Sequence, residues 1–418
     1  MKRFWKTALP FLVAAAVVLW WMGALDWFPG PASEPEPPAL APEPAPPSDE
    51  KRVPANIIQT DREPWPFYHG DAGLTGTASF DLSPPLTRLW SIQAKGPVYA
   101  APVASTGAIF FNTSDGWVTA IDAQGAELWA RQLTRTPSPG AAPVPASFDA
   151  PLACFDATLF LGSTQGTLYA LHAATGDTRW TFDVGGPVLG TANRAAPADA
   201  GSRVIVIDQA DGALQCLDAA TGEPVWRTEE IDRCDGSPSV ADDAIVFGSC
   251  AAALHVFSAA HGNLLRNIAL GGDSQVAGGV ALADGSAFSG SHRGAVFRVN
   301  VTTGEIAWTN QDADGEVFTT PAVQGGRVAF GSLDGALYGL DIETGKTVWR
   351  FETTGEPSSP VIAKDKLLFS SEGTLYMLRL DTGEELWSYE VSDYTSSPAL
   401  VWGMVLVGSD DGTVTAFG

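Results

Sequence analysis

The chain has 418 residues, with 24 Lys and Arg against 48 Asp and Glu, and a formal net charge of −24. A surface this acidic excludes nucleic acid and anionic lipid headgroups as partners for its bulk. Four cysteines are too few for a disulfide-built scaffold, although they can pair in an oxidising compartment.

The first 28 residues open with Lys2, Arg3 and Lys6, run without charge from Ala8 to Leu25, and carry Trp20, Trp21, Trp27 and Phe28. An uncharged run of this length spans about 27 Å of bilayer as a helix. Basic residues ahead of it keep the N-terminus in the cytoplasm and send the rest of the chain across the membrane. Residues 1–28 therefore read as one transmembrane helix, with a signal peptide cleaved near Gly30-Pro31-Ala32 as the alternative. No cysteine precedes Cys154, so a lipoprotein attachment site is absent. Residues 29–60 form a Pro-rich linker, with ten prolines between 29 and 54. Such a tract buries no core and extends, reaching on the order of 80 Å if fully polyproline-like.

From residue 61 onward one unit recurs. GALYGLDIETGKTVW begins at Gly335, and the same register returns from Gly166, Gly212, Gly294 and Gly373. A shortened copy starts at Gly116, a degenerate one at Ala252, and a truncated one, GTVTAFG, closes the chain from Gly412. The steps between starts are 50, 46, 40, 42, 41, 38 and 39 residues, the period of one repeated supersecondary unit. Within each unit apolar residues alternate at spacing two between Gly- and Asp-rich turns, which predicts four short strands. Four strands per forty residues make one blade of a β-propeller. The last copy stops at Gly418 before its tail, and LTRLW, Leu86 to Trp90, is a strand without a Thr-Gly start of its own. The expectation is an all-β, eight-bladed propeller of four-stranded blades over 61–418, closed by the N-terminal strand near 86–94. Deletion of that strand is expected to abolish cooperative folding.

The Thr-Gly pair supplies a turn that needs positive φ. Trp90, Trp129, Trp180, Trp226, Trp308, Trp349 and Trp387 are then structural docking residues, wedged between neighbouring blades. This Thr-Gly-x-x-x-Trp tail, as in Ala219 to Trp226, resembles the tryptophan-docking motif of the quinoprotein-type propellers. That family includes pyrroloquinoline quinone dehydrogenases and the outer-membrane assembly lipoprotein BamB. The resemblance covers 86–418. No Gly-His to Trp-Asp pair of the WD type recurs.

The hairpin CDGSPSVADDAIVFGSC centres on Asp242, which predicts that Cys234 and Cys250 face each other and form a disulfide. Enclosing fifteen residues, it would contribute roughly 3 kcal/mol to a blade whose docking Trp is Arg266 and whose first Gly is Ala252. Cys154 and Cys216 read as buried thiols. Because local rule-breaking often marks function, the fourth blade (235–270), with His255, His261 and Arg266, is the candidate partner surface.

Little points to catalysis. The resemblance implies that a quinone-dependent enzyme would carry adjacent cysteines, a calcium site and a catalytic Asp, yet no two cysteines here are adjacent. No C-x-x-C-H, H-E-x-x-H, P-loop or G-x-S-x-G motif occurs. NQDADGEVFTTP fits a calcium loop only for its first six positions, through Asn310, Asp312, Asp314 and Gly315, and has Pro321 where a bidentate Glu belongs. The reading is a non-catalytic extracytoplasmic scaffold similar to BamB, without cofactor or metal. It would bind a protein partner in the cell envelope and sit on the periplasmic side of the inner membrane through its helix. The alternatives are a quinone-dependent dehydrogenase, a hydrolase using paired turn carboxylates, or a propeller binding a small ligand in its channel.

Overall fold

Alternating apolar residues cut by turns at Gly and Asp produce strands of two to six residues from 77 to 417. The computed structural model describes residues 63–418 apart from 106, 137, 139, 198–200 and 273. The helix expected at 1–28 and the linker at 29–60 lie outside the described residues. Among the described residues no helix is long and apolar enough to cross a membrane.

The strands assemble into eight antiparallel four-stranded blades. Blade 1 runs through Val103–Ala104, Ile109–Asn112, Trp117–Ile121 and Glu127–Gln132, from the axis outward. Blades 2 to 7 follow over 153–183, 193–227, 239–269, 281–310, 322–352 and 361–390. A small hairpin of Thr134–Arg135 with Val144–Pro145 lengthens the connection from blade 1 to blade 2, which accounts for the 50-residue first step. Blade 8 takes Ala399–Val401, Met404–Gly408 and Thr413–Phe417 from the C-terminal end, and its outer strand is Arg88–Gln93. Thr87 and Gly418 exchange both backbone hydrogen bonds at 3.0 Å, so the two ends of the ring meet residue against residue.

Each blade repeats one irregularity. Between its third and fourth strands the register skips the residue before the docking position: Leu128, Val225, Leu265 and Val348, among others. A β-bulge twists its strand and re-aims the next side chain. The tryptophan thereby swings under the next blade, where its ring covers the glycine of that blade's Thr-Gly turn. Gly345 and Gly383 show why the residue must be glycine. Their φ values are +68° and +70°, and an added Cβ would lie 2.4 Å from Trp308 and 2.7 Å from Trp349. The indole N–H then donates to a carbonyl two or three residues before that glycine. Trp90 reaches Ala123, Trp129 Ala173, Trp180 Ala219, Trp308 Ile342 and Trp349 Leu380, at 2.8–3.3 Å.

Three seams depart from this pattern. Trp387 makes no indole hydrogen bond among the described residues and packs against Phe417, at 5.5 Å between ring centroids. Trp226 covers Gly262, but its N–H finds no acceptor among the described residues. The next seam has Arg266 in place of the indole, with its Cδ 3.6 Å from where a Cβ on Gly304 would sit. Blade 4 is thus flanked by both of the seams that lack an indole bond in mid-ring.

The expected Cys234–Cys250 disulfide is not formed: all four cysteines are free thiols. The hairpin pairs Ser239 with Val246 and Ala241 with Ala244, so its centre lies half a residue beyond Asp242. Cys234 precedes the strand Ser239–Ala241, but the Cys250 N–H donates to the adjacent Arg233 carbonyl at 3.0 Å, so the two cysteines are neighbours without a bond, and Cys234 Sγ contacts the Asp232 carbonyl at 3.1 Å.

Residues 65–78 add a feature the repeat does not contain. They pass round the axis as a collar against the inner strand of one blade after another, ending as Thr77–Ala78 paired in parallel with Val361–Ala363 of blade 7. Residues 79–87 then lead outward to the edge of blade 8, burying Phe80, Leu82 and Leu86 with Leu400 and Val401.

Truncating a buried docking tryptophan leaves a large cavity and an unpaired carbonyl. Trp349→Ala should therefore lose about 3–5 kcal/mol of stability in urea denaturation, and Trp387→Ala, half-buried and without an indole bond, clearly less. Equal losses would show that the indole seam is not what joins the blades.

Candidate functional site

The loops from each outer strand to the next inner strand converge on one face of the ring. Small residues there, such as Ala100, Ala101, Gly236, Gly278 and Gly279, leave room for an axial mouth of about 210 Å³. Its walls carry Tyr99, Asp149, Asp235 and Phe318, and Tyr68 reaches it from the collar. The Tyr68 hydroxyl donates to Ser359 Oγ at 2.7 Å, and burial pushes its pKa up. Tyr99 and Tyr394 stand at the rim edge to face, 5.7 Å apart and 44% and 51% exposed. Asp235 is held by Arg233 Nε and Gln209 Nε2, both at 2.7 Å. His292 meets the Phe318 ring at 4.6 Å and Glu316 at 3.7 Å. The mouth is smaller than the ~300–1,000 Å³ typical of small-molecule pockets, and aromatic groups with a carboxylate rim suit a partner's side chains instead.

The opposite face holds a larger, apolar groove between blades 1 and 2. It measures about 750 Å³ and is walled by Phe67, Phe110, Leu128, Trp129 and Phe155, with the Arg194–Asp156 pair at its lip, 3.4 Å apart. Cys154 also lines it, but burial pushes that thiol up to about 12, which leaves it unionised and unreactive.

The fourth blade divides the residues proposed for it. His261 and Arg266 are exposed, whereas His255 is buried and is not part of a surface. As a residue of Ala253–Ser258, in the third strand, His255 is buried in the blade, lies tilted against Phe247 at 5.4 Å and shares a hydrogen bond with Ser249 Oγ at 2.7 Å. Leu265 is exposed as the bulged residue, like Leu128, Val225 and Val348 in other blades. Leu264 is additional, 51% exposed, and among the described residues only blade 4 exposes two adjacent large apolar side chains on its outer strand.

Among the described residues no cluster of three His, Cys, Asp or Glu side chains is arranged to hold a metal. In the calcium-like run, Asn310 Nδ2 bonds Asp312, the Gly345 carbonyl and Thr347, and the Thr347 hydroxyl donates to Asp312 at 2.6 Å, lowering its pKa. The side chains are used in joining blades 5 and 6.

A family profile described as outer membrane protein assembly factor BamB matches residues 87–146, 114–277 and 272–417. The chain belongs to the BamB family. BamB of Burkholderia pseudomallei (strain K96243) is 28% identical over 176 residues, 40% of this chain and 44% of the relative. BamB of Yersinia pestis is 23% identical over 249 residues, 54% of this chain and 61% of the relative. The chain thus matches about half the length of these BamB relatives. Among solved structures, BamB from Moraxella catarrhalis superposes with a TM-score of 0.67 at 19% identity, covering 79% of this chain and 97% of its own. A europium-containing methanol dehydrogenase gives 0.72 at 12% identity, over 85% and 98%. At such identities both likenesses establish the propeller fold alone.

Two buried imidazoles tie stability to pH. Burial holds His69 and His255 down to about 4, opposed by the Leu74 and Pro360 carbonyls at His69 and by the charge of Asp232 at His255. The fold keeps the neutral ring, so this stability is complete above the ordinary pKa near 6.5 and is lost as pH falls towards 4. Urea denaturation of His255→Gln should decline less steeply across that window than wild type, by about 3 kcal/mol at its acid end. Parallel curves would place the ring in water.

Proposed function

We propose that this chain is a non-catalytic scaffold of the cell envelope that binds a protein partner in outer-membrane-protein assembly. The family match over 87–417 supports the assembly role. One observation favours a scaffold over an enzyme or a channel-bound ligand: the chain's own residues 65–78 bond to the inner strands round the axis, leaving a mouth of about 210 Å³ there beside a cavity of about 420 Å³ at Asp149, Leu189 and Gln209. What the ring offers instead is a rigid face of loops rimmed by Tyr99, Tyr394, Asp149 and Asp235, where aromatic anchors beside fixed carboxylates can seat a partner's apolar and basic side chains. Export of the propeller and attachment to the inner membrane follow from residues 1–28 and belong to the same proposal.

Cells depleted of this chain should contain less folded outer-membrane β-barrel protein. Wild type should restore it, and a Tyr99→Ala/Tyr394→Ala variant of unchanged melting temperature should not. Unchanged barrel content on depletion would refute the assembly role. Incubation of the purified protein with pyrroloquinoline quinone and calcium should give no thermal stabilisation and no dye reduction with alcohols or sugars; tight quinone uptake with turnover would replace the scaffold by a dehydrogenase.

A further inference from the structure

The inner strands of the blades present backbone amides towards the axis, and the collar satisfies six of them. Ala104, Cys154, Val240, Leu282, Val323 and Ile362 donate to the carbonyls of Trp65, Pro66, Ala72, Gly73, Thr75 and Gly76 at 2.7–3.0 Å. Each donor occupies the same place in its own blade, in blades 1, 2, 4, 5, 6 and 7. At blade 3 the Asn193 side chain substitutes by donating to the Ala72 carbonyl at 2.8 Å. Trp65, Phe67 and Leu74 anchor the segment as buried side chains.

Following so tight a circle takes unusual backbone. His69 and Leu74 adopt positive φ, as do Gly70 and Gly76. Asp71 closes the bend between them, accepting from the Thr75 N–H at 3.1 Å and from the Thr75 hydroxyl. Two glycines sit where the rim leaves no room: a Cβ on Gly73 would lie 2.8 Å from the Leu282 carbonyl, and one on Gly76 2.9 Å from His69 and 3.1 Å from Ala322.

We propose that the inner rim of the ring is a peptide-binding site. Its ligand is the chain's own segment 64–78, recognised through its backbone by a hydrogen bond from each of six blades, widened to a bridge at blade 1 and a two-residue parallel strand at blade 7, and through three apolar anchors. This is the mode by which sheet edges capture extended peptides, bent here into a circle. It does not depend on the role in outer-membrane-protein assembly. Without the ligand, buried N–H groups would lose their partners, so the rim and the segment form one recognition unit.

Because Ser83 is exposed beyond the collar, a protease site inserted there in the full chain separates the segment from the ring, leaving the buried Phe80 and Leu82 on the cleaved fragment and Leu86 on the ring. The cleaved N-terminal fragment should stay with the propeller through gel filtration. A labelled peptide of residues 63–80 in excess should displace it, and the same peptide carrying Gly73→Val and Gly76→Val should not. Release of the fragment from a ring that stays folded, or equal exchange by both peptides, would overturn the proposal. If cleavage unfolds the ring, hydrogen exchange on the uncut chain decides. Gly76→Val should speed exchange at Val323 and Ile362 by about tenfold or more, leaving outer-strand amides unchanged. Unaltered exchange at those two positions would overturn the proposal.

Discussion

The contact on which this structure depends is an indole lying over a glycine of the neighbouring blade. Each blade alone is a small twisted sheet with two apolar faces, which cannot bury both without neighbours. The bulge before the tryptophan turns the ring out of its own sheet, and positive φ at the glycine brings the next turn close enough to receive it. The N–H bond to a carbonyl of that turn then fixes orientation as well as distance. Repeated round the ring, this contact sets the spacing of the blades, and the strand Arg88–Gln93 completes the circle.

A ring built by such seams is only as uniform as its weakest ones. Blade 4 lies between a tryptophan whose N–H has no acceptor among the described residues and an arginine where an indole belongs. No disulfide compensates, since Cys234 and Cys250 are both free. What blade 4 retains is a well-packed interior of Phe247, His255 and Phe257. Its outer strand shows Leu264, Leu265 and Arg266 to solvent, with His261 on the turn before it, so any change in binding behaviour at this blade arises at its edge and not from His255.

The axis and the two faces follow from the same geometry. Closing eight blades leaves inner strands with amides directed at a central space, and the collar fills that space from the N-terminal side. The loop face keeps a shallow aromatic and acidic mouth, while the opposite face keeps an apolar groove where the collar begins. One propeller fold serves both a family of assembly factors and a methanol dehydrogenase, so the blades by themselves do not decide function.

The repeat, its period and the truncated copy at Gly418 were enough to read eight blades, because the seam pairs a glycine with a tryptophan at nearly constant spacing, with Arg266 the exception. Among the candidate site residues, the tryptophans were legible for the same reason. His255 was not, since alternation names two faces of a strand without saying that both are buried inside a propeller. The disulfide was read from hairpin symmetry about Asp242, whereas the centre lies half a residue further on and both thiols are free; turn geometry decides that register and composition does not. The collar was the largest omission. WPFYHGDAGLTG has no period, and its bonds run through backbone groups that every residue carries. Only the closed ring, by placing six amides from six distant blades round one axis, gives that stretch something to bind.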